Sequence, residues 1–154
     1  MLFFRVSEYL KACLHYNAYF EMVKPVFRCM GKKHSPRFLA TVEQSRAAIQ
    51  ECDIDQFSSM LNDGEDIVVI DVREQHEYDA GCFKGALHLS KGVIERDIEK
   101  HPISEDARIV LYCGGGFRSA LAAESLTRMG YSDVYSLWGG WRSLVAAGLA
   151  SPNQ

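Results

Sequence analysis

The chain has 154 residues, 47% of them apolar and 24% charged, which suits one globular domain that buries a core without disulfide or metal support and excludes a disordered chain. A formal net charge of -3 gives no electrostatic reason to expect nucleic acid as a partner, and no apolar run approaches the ~18 residues of a membrane span.

The charge is unevenly spread: up to Lys33 there are six basic and two acidic residues, against eleven and eighteen in the rest. A division follows, with residues 1–37 as an N-terminal amphipathic helix and basic linker and residues 38–150 as the main domain. Over Val6 to Val23, apolar residues recur at three- and four-residue steps (Val6, Tyr9, Leu10, Cys13, Leu14, Phe20, Val23), which predicts a helix ended by Pro25. Two readings fit its apolar face: packing against its own domain or a second copy, as in dimerisation or another protein contact, and binding at a membrane surface. Arg5, Glu8 and Lys11 interrupt the run as a signal peptide would not allow, and Glu8 and Glu21 count against a mitochondrial-type presequence. A basic link runs from Arg28 to Arg37.

An alternating pattern follows. Thr41 to Ala48 reads as helix, Ile49 to Cys52 as a short strand, and Asp53 as the cap of a helix through Leu61 that stops near Asn62-Asp63-Gly64. Ile67-Val68-Val69-Ile70 is a β-branched run of the kind found in strands covered on both faces. Glu74 to Asp79 predicts a short helix, Ala86 to His88 a strand, and Gly92 to Lys100 a helix ended by Pro102. Arg108 to Tyr112 is a second buried strand, Arg118 to Met129 a long helix closed by Gly130, Val134 to Leu137 a last strand and Trp141 to Ala147 a last helix. The expected fold is α/β: a parallel five-stranded sheet with helices on both faces and an N-terminal helical extension.

The five cysteines (Cys13, Cys29, Cys52, Cys82, Cys113) are odd in number, with none at CxxC spacing. This argues against a disulfide framework and a zinc site, and for free thiols in a reducing, cytoplasmic setting. Cys113 stands apart because it follows a strand at the carboxyl edge of the sheet, where α/β proteins place their chemistry. In Cys113-Gly114-Gly115-Gly116-Phe117-Arg118-Ser119, the glycines allow the backbone to curl with its N–H groups inward as an anion cradle. The following helix contributes its N-terminal dipole and Arg118 a forked cation, while Ser119 can hold the loop by hydrogen bonding. All of these favour a thiolate at Cys113, and hence a nucleophile.

These segments resemble the rhodanese family over about Thr41 to Leu149. Ile70-Asp71-Val72-Arg73-Glu74 with Glu77-Tyr78 and Gly81 is similar to its first signature, and Gly85-Ala86-Leu87-His88-Leu89 to its second. Tyr112 to Ser119 is similar to its active-site loop, and Leu137-Trp138-Gly139-Gly140-Trp141 to its C-terminal signature. The resemblance implies a sulfurtransferase that takes a sulfane sulfur from thiosulfate or a persulfide onto Cys113 and passes it to cyanide or a thiol, without metal or organic cofactor. It implies that Gly114, Gly115, Gly116, Phe117, Arg118 and Ser119 bind substrate and that Asp71 and Arg73 give structural support. The chain departs from the family at Cys82, where histidine is common, at Lys84, where proline is common, and at Gly114, where some thiosulfate-specific members carry a basic residue. Cys82 is read as a passive thiol, with resolution of the persulfide as the alternative.

Two rivals accompany this reading. One is a Cys-dependent phosphatase or arsenate reductase of the same fold, which carries one more residue between Cys and Arg than the five-position step from Cys113 to Arg118. The other is a non-catalytic interaction or regulatory module, which the intact Cys113 cradle counts against.

Overall fold

The computed structural model describes residues 34–152; the helix expected over Val6 to Val23 lies outside them. Five strands, β1 (Gln50–Cys52), β2 (Ile67–Asp71), β3 (Leu87–His88), β4 (Arg108–Tyr112) and β5 (Asp133–Leu137), form one sheet in the order β1-β5-β4-β2-β3. Every pairing is parallel. Between and around them run α1 (Pro36–Arg46), α2 (Ile54–Asn62), α3 (Gln75–Asp79), α4 (Ile94–Asp97), α5 (Phe117–Met129) and α6 (Gly140–Ala146). No helix among the described residues is long and apolar enough to cross a membrane.

The apolar run of β4 explains its place at the centre. Strand side chains alternate between faces. Ile109, Leu111 and then Cys113 therefore join one core, with Ile70, Ile94, Ile98, Ala122 and Leu126, while Val110 and Tyr112 join the other, with Phe57, Leu137 and Leu144. Helices α4 and α5 cover the first face, and α2 and α6 the second. Burial on both sides is what a continuous apolar strand requires.

Two local readings differ from the structure by more than a residue at an element's end. Helix α1 begins at Pro36, not Thr41, and ends at Arg46, so the boundary expected between Arg37 and Phe38 falls inside a helix. The reason is local: Ser35 caps the first turn by accepting the Phe38 amide at 3.3 Å, and Pro36 stands at the first helical position, where its missing N–H costs nothing. The single helix expected over Gly92 to Lys100 is a short α-turn, Ile94–Asp97, that tightens into a 3₁₀ turn over Ile98–Lys100, a common ending for a helix about to be broken. Asp53 caps α2 as expected, and Gln56 returns the favour: its side chain accepts the Asp53 amide at 3.0 Å while Asp53 accepts the Gln56 amide at 2.8 Å.

Parallel pairing puts the carboxyl ends of the central strands on one edge. Asp71 lies beside Tyr112 in register, and the Val72 amide donates to the Tyr112 carbonyl at 2.9 Å. The loops after β2, β4 and β5 therefore meet there.

Candidate active site

Cys113 is the first residue beyond β4 and is 2% exposed. Its Sγ accepts the Gly116 amide at 3.2 Å and the Ser119 hydroxyl at 3.7 Å. Burial pushes the thiol pKa up, but the amides of Gly115, Ser119 and Gly116 and the Ser119 hydroxyl outweigh it, and the net shift is downward. The loop closes this tightly because Gly116 adopts a left-handed φ of 92°. A Cβ there would stand 3.3 Å from the Leu137 carbonyl oxygen and the Gly139 nitrogen. Helix α5 starts at the next residue, so its N-terminal dipole faces the sulfur.

A buried hydroxyl chain backs the sulfur. Ser136 on β5 donates to Ser119 Oγ at 2.9 Å, and Ser119 in turn donates to Sγ; both serines are fully buried. Sequence reading took Ser136 only as a strand residue. The available signal was a polar side chain at an inward position of a buried strand.

Arg118 stands at the loop mouth, its Nη2 3.6 Å from a Cβ built on Gly114. Both of its terminal nitrogens are held by Glu77, at 2.7 and 2.9 Å, with Glu74 at 3.6 Å. This fork holds the Glu77 carboxyl down at about 2. Phe117 faces Phe38 of α1, with ring centroids 6.2 Å apart. The Arg46 guanidinium lies over both the Phe117 ring (5.3 Å) and the Trp138 ring (4.2 Å). One wall of the mouth is thus aromatic and anchored by α1, a contribution the sequence did not reveal.

Asp71 and Arg73 form a buried pair, 0% and 3% exposed. The Asp71 carboxylate accepts Arg73 Nη2 at 2.6 Å, its Nε at 3.0 Å and its amide at 2.9 Å. Arg73 also donates to the Gly81 carbonyl at 2.7 Å and sits 4.3 Å from the centroid of the Trp141 ring. The pair ties the loop after β2 to the first turn of α6. Cys82 is partly buried.

The family model for the rhodanese-like domain matches residues 53–147. The chain belongs to the rhodanese-like family. Among curated proteins, this rhodanese-like chain is 36% identical over 81 residues to the thiosulfate sulfurtransferase GlpE of Coxiella burnetii, covering 53% of the chain and 74% of that relative. It is 32% identical over 83 residues to the tRNA uridine(34) hydroxylase of Acinetobacter baumannii, covering 49% of the chain but only 26% of that relative. It thus spans about a quarter of the hydroxylase's length. Among solved structures, a Rhodopseudomonas palustris protein described as a possible tyrosine phosphatase matches with TM-score 0.63 and 25% identity, over 78% of this chain and 97% of that one. A human single-domain sulfurtransferase matches with TM-score 0.58 and 21% identity, over 62% and 95%; this is a likeness of fold.

Proposed function

We propose that this rhodanese-like protein is a sulfurtransferase that carries a sulfane sulfur on Cys113. The Cys113 thiolate attacks the outer sulfur of thiosulfate or of a persulfide. The donor's S–S bond breaks, and sulfite, or the donor thiolate, leaves with the electron pair. Cys113 is left as a persulfide anion. Cyanide or a thiolate then attacks the outer sulfur, the Cys113 S–S bond breaks, and the thiolate returns. The sulfur enters and leaves as a formally neutral atom, so no redox cofactor is needed.

The observation that carries this reading is that the buried Sγ accepts the Gly116 amide at 3.2 Å and the Ser119 hydroxyl at 3.7 Å, with a net downward pKa shift despite burial. Such donors stabilise a sulfur anion before and after transfer. Gly114, Gly115, Phe117 and Arg118 keep partial solvent exposure around the buried cysteine and form the mouth through which donor and acceptor pass. The name of the Coxiella relative supports the same reaction class.

A phosphatase is the second reading, favoured by the description of the Rhodopseudomonas neighbour. Against it, Arg118 lies five positions after Cys113 and gives both terminal nitrogens to Glu77, leaving no free fork for a phosphoryl group.

Mass measurement decides between them. Incubation with thiosulfate should add one sulfur to the Cys113 peptide, cyanide should remove it, and Cys113→Ser should abolish both. Hydrolysis of an aryl phosphate at a rate matching sulfur transfer, or a peptide mass that thiosulfate leaves unchanged, would overturn the proposal.

A further inference from the structure

We propose that Arg142 is the residue that selects an anionic sulfur donor and holds its negative end; the assignment rests on the sulfur-transfer reading of Cys113. Arg142 lies on α6, and α6 is seated against the loop by two features. Gly140 has φ 52°, and a Cβ there would stand 2.2 Å from the Cys113 carbonyl oxygen. The Trp141 amide donates to that same oxygen at 2.6 Å. The next residue, Arg142, reaches back over the loop. Its Nη1 and Cζ stand 3.5 and 3.8 Å from a Cβ built on Gly115, the residue before Gly116, whose amide donates to the Cys113 sulfur at 3.2 Å.

The charges around the mouth are asymmetric. Arg118 is taken by Glu77 and flanked by Glu74, so that side presents a cation with two carboxylates. Arg46, under the aromatic wall, is paired with Glu43 and Glu51, and Arg73 is buried on Asp71. Arg142 is exposed and no carboxylate among the described residues pairs with it. It is therefore the uncompensated positive charge beside the loop amides. An incoming dianion such as thiosulfate directs its sulfonate end toward Arg142 and away from Glu74 and Glu77, with its outer sulfur toward Sγ. The departing sulfite, whose charge grows as the S–S bond breaks, is stabilised on the same side.

The experiment separates reagent charge from thiolate reactivity. Cys113 is alkylated in the full-length protein with iodoacetate (anionic) and with iodoacetamide (neutral), and the Cys113 peptide is followed by mass. A change in the thiol pKa scales both rates alike and cancels in their ratio. In Arg142→Ala the iodoacetate-to-iodoacetamide ratio should fall about fivefold, the scale of one partly exposed charge pair. Arg142→Lys should keep most of the ratio, and added salt should lower it in the unsubstituted protein. In parallel, kcat/KM for thiosulfate should fall in Arg142→Ala more than for benzenethiosulfonate, which carries one charge fewer. An unchanged alkylation ratio in Arg142→Ala overturns the assignment, even if thiosulfate still loads Cys113. If thiosulfate fails to load Cys113 while the ratio responds to Arg142, the sulfur-transfer reading falls, and with it the donor named here.

Discussion

The Trp141 amide donates to the Cys113 carbonyl oxygen at 2.6 Å, so the first turn of α6 is bound to the residue that carries the sulfur. The contact depends on Gly140, where any side chain would collide with that same oxygen. Gly140→Ala combines a positive φ with overpacking, and should cost about 3 kcal/mol of stability. Thermal unfolding should show a lowered midpoint, and Cys113 should lose its enhanced reactivity at temperatures where the fold persists, because the loop has been pushed out of place.

The hydroxyl chain from Ser136 through Ser119 to Sγ predicts a titration. Cys113 is held below the ordinary thiol value of 9.0, so its rate of alkylation by iodoacetamide should reach half its plateau below pH 9.0. Ser119→Ala removes a direct donor and should move the midpoint upward. Ser136→Ala should move it in the same direction by less, since it acts through Ser119. Cys52, whose thiol burial pushes up to about 12, should stay unmodified throughout. A midpoint unmoved by Ser119→Ala would remove the hydroxyl from the account.

Glu77 gives a pH prediction with a definite sign. Its carboxyl is held at about 2 against an ordinary 4.5, chiefly by the Arg118 fork. A depressed carboxylate contributes stability that is complete above its ordinary value and is lost as pH falls through its folded value. The Glu77 contribution should therefore be constant above about pH 5 and decline between 4.5 and 2. Glu77→Gln should flatten the acid limb of the stability profile. It should also free Arg118, so the Cys113 loop should gain affinity for anions. Chemical unfolding at stepped pH, with sulfite as the probe anion, reads both effects.

The buried Asp71–Arg73 pair predicts an asymmetry. Removing one partner strands a charge in the core, and Arg73→Met should cost about 3 kcal/mol or more. Replacing both, as Asp71→Leu with Arg73→Met, should recover much of that stability. It should not recover activity, because the Gly81 carbonyl and the Trp141 ring lose the guanidinium that joins them. Denaturant unfolding with a parallel sulfur-transfer assay checks the pattern; equal recovery of both would assign the pair to stability alone.

The strands that position the chemistry were the most legible part of the sequence. Ile67–Ile70 and Ile109–Tyr112 are continuous apolar runs, and two covered faces leave such runs no other place in the sheet. The Cys113 loop was legible because glycines, a nucleophile and a helix start coincide within seven residues. The two ends of its electrostatics were not. Glu77 lies 41 residues from Arg118, and nothing local in either segment marks them as partners. Arg142 looks like any exposed helical arginine until Gly140 and Trp141 dock its helix on the loop. The start of α1 was missed although Ser35-Pro36 is a sound cap, because the basic run before it reads as linker.

Helix α1 and strand β1 both precede residue 53, where the match to the family begins. Yet α1 supplies Phe38 against Phe117 and Arg46 over Trp138, and β1 pairs with β5 along the sheet border. Anyone transplanting this module into another protein should therefore cut upstream of Ser35. Excision at the family boundary would carry the nucleophile across but leave β5 as a raw sheet margin, inviting strand-to-strand association between copies.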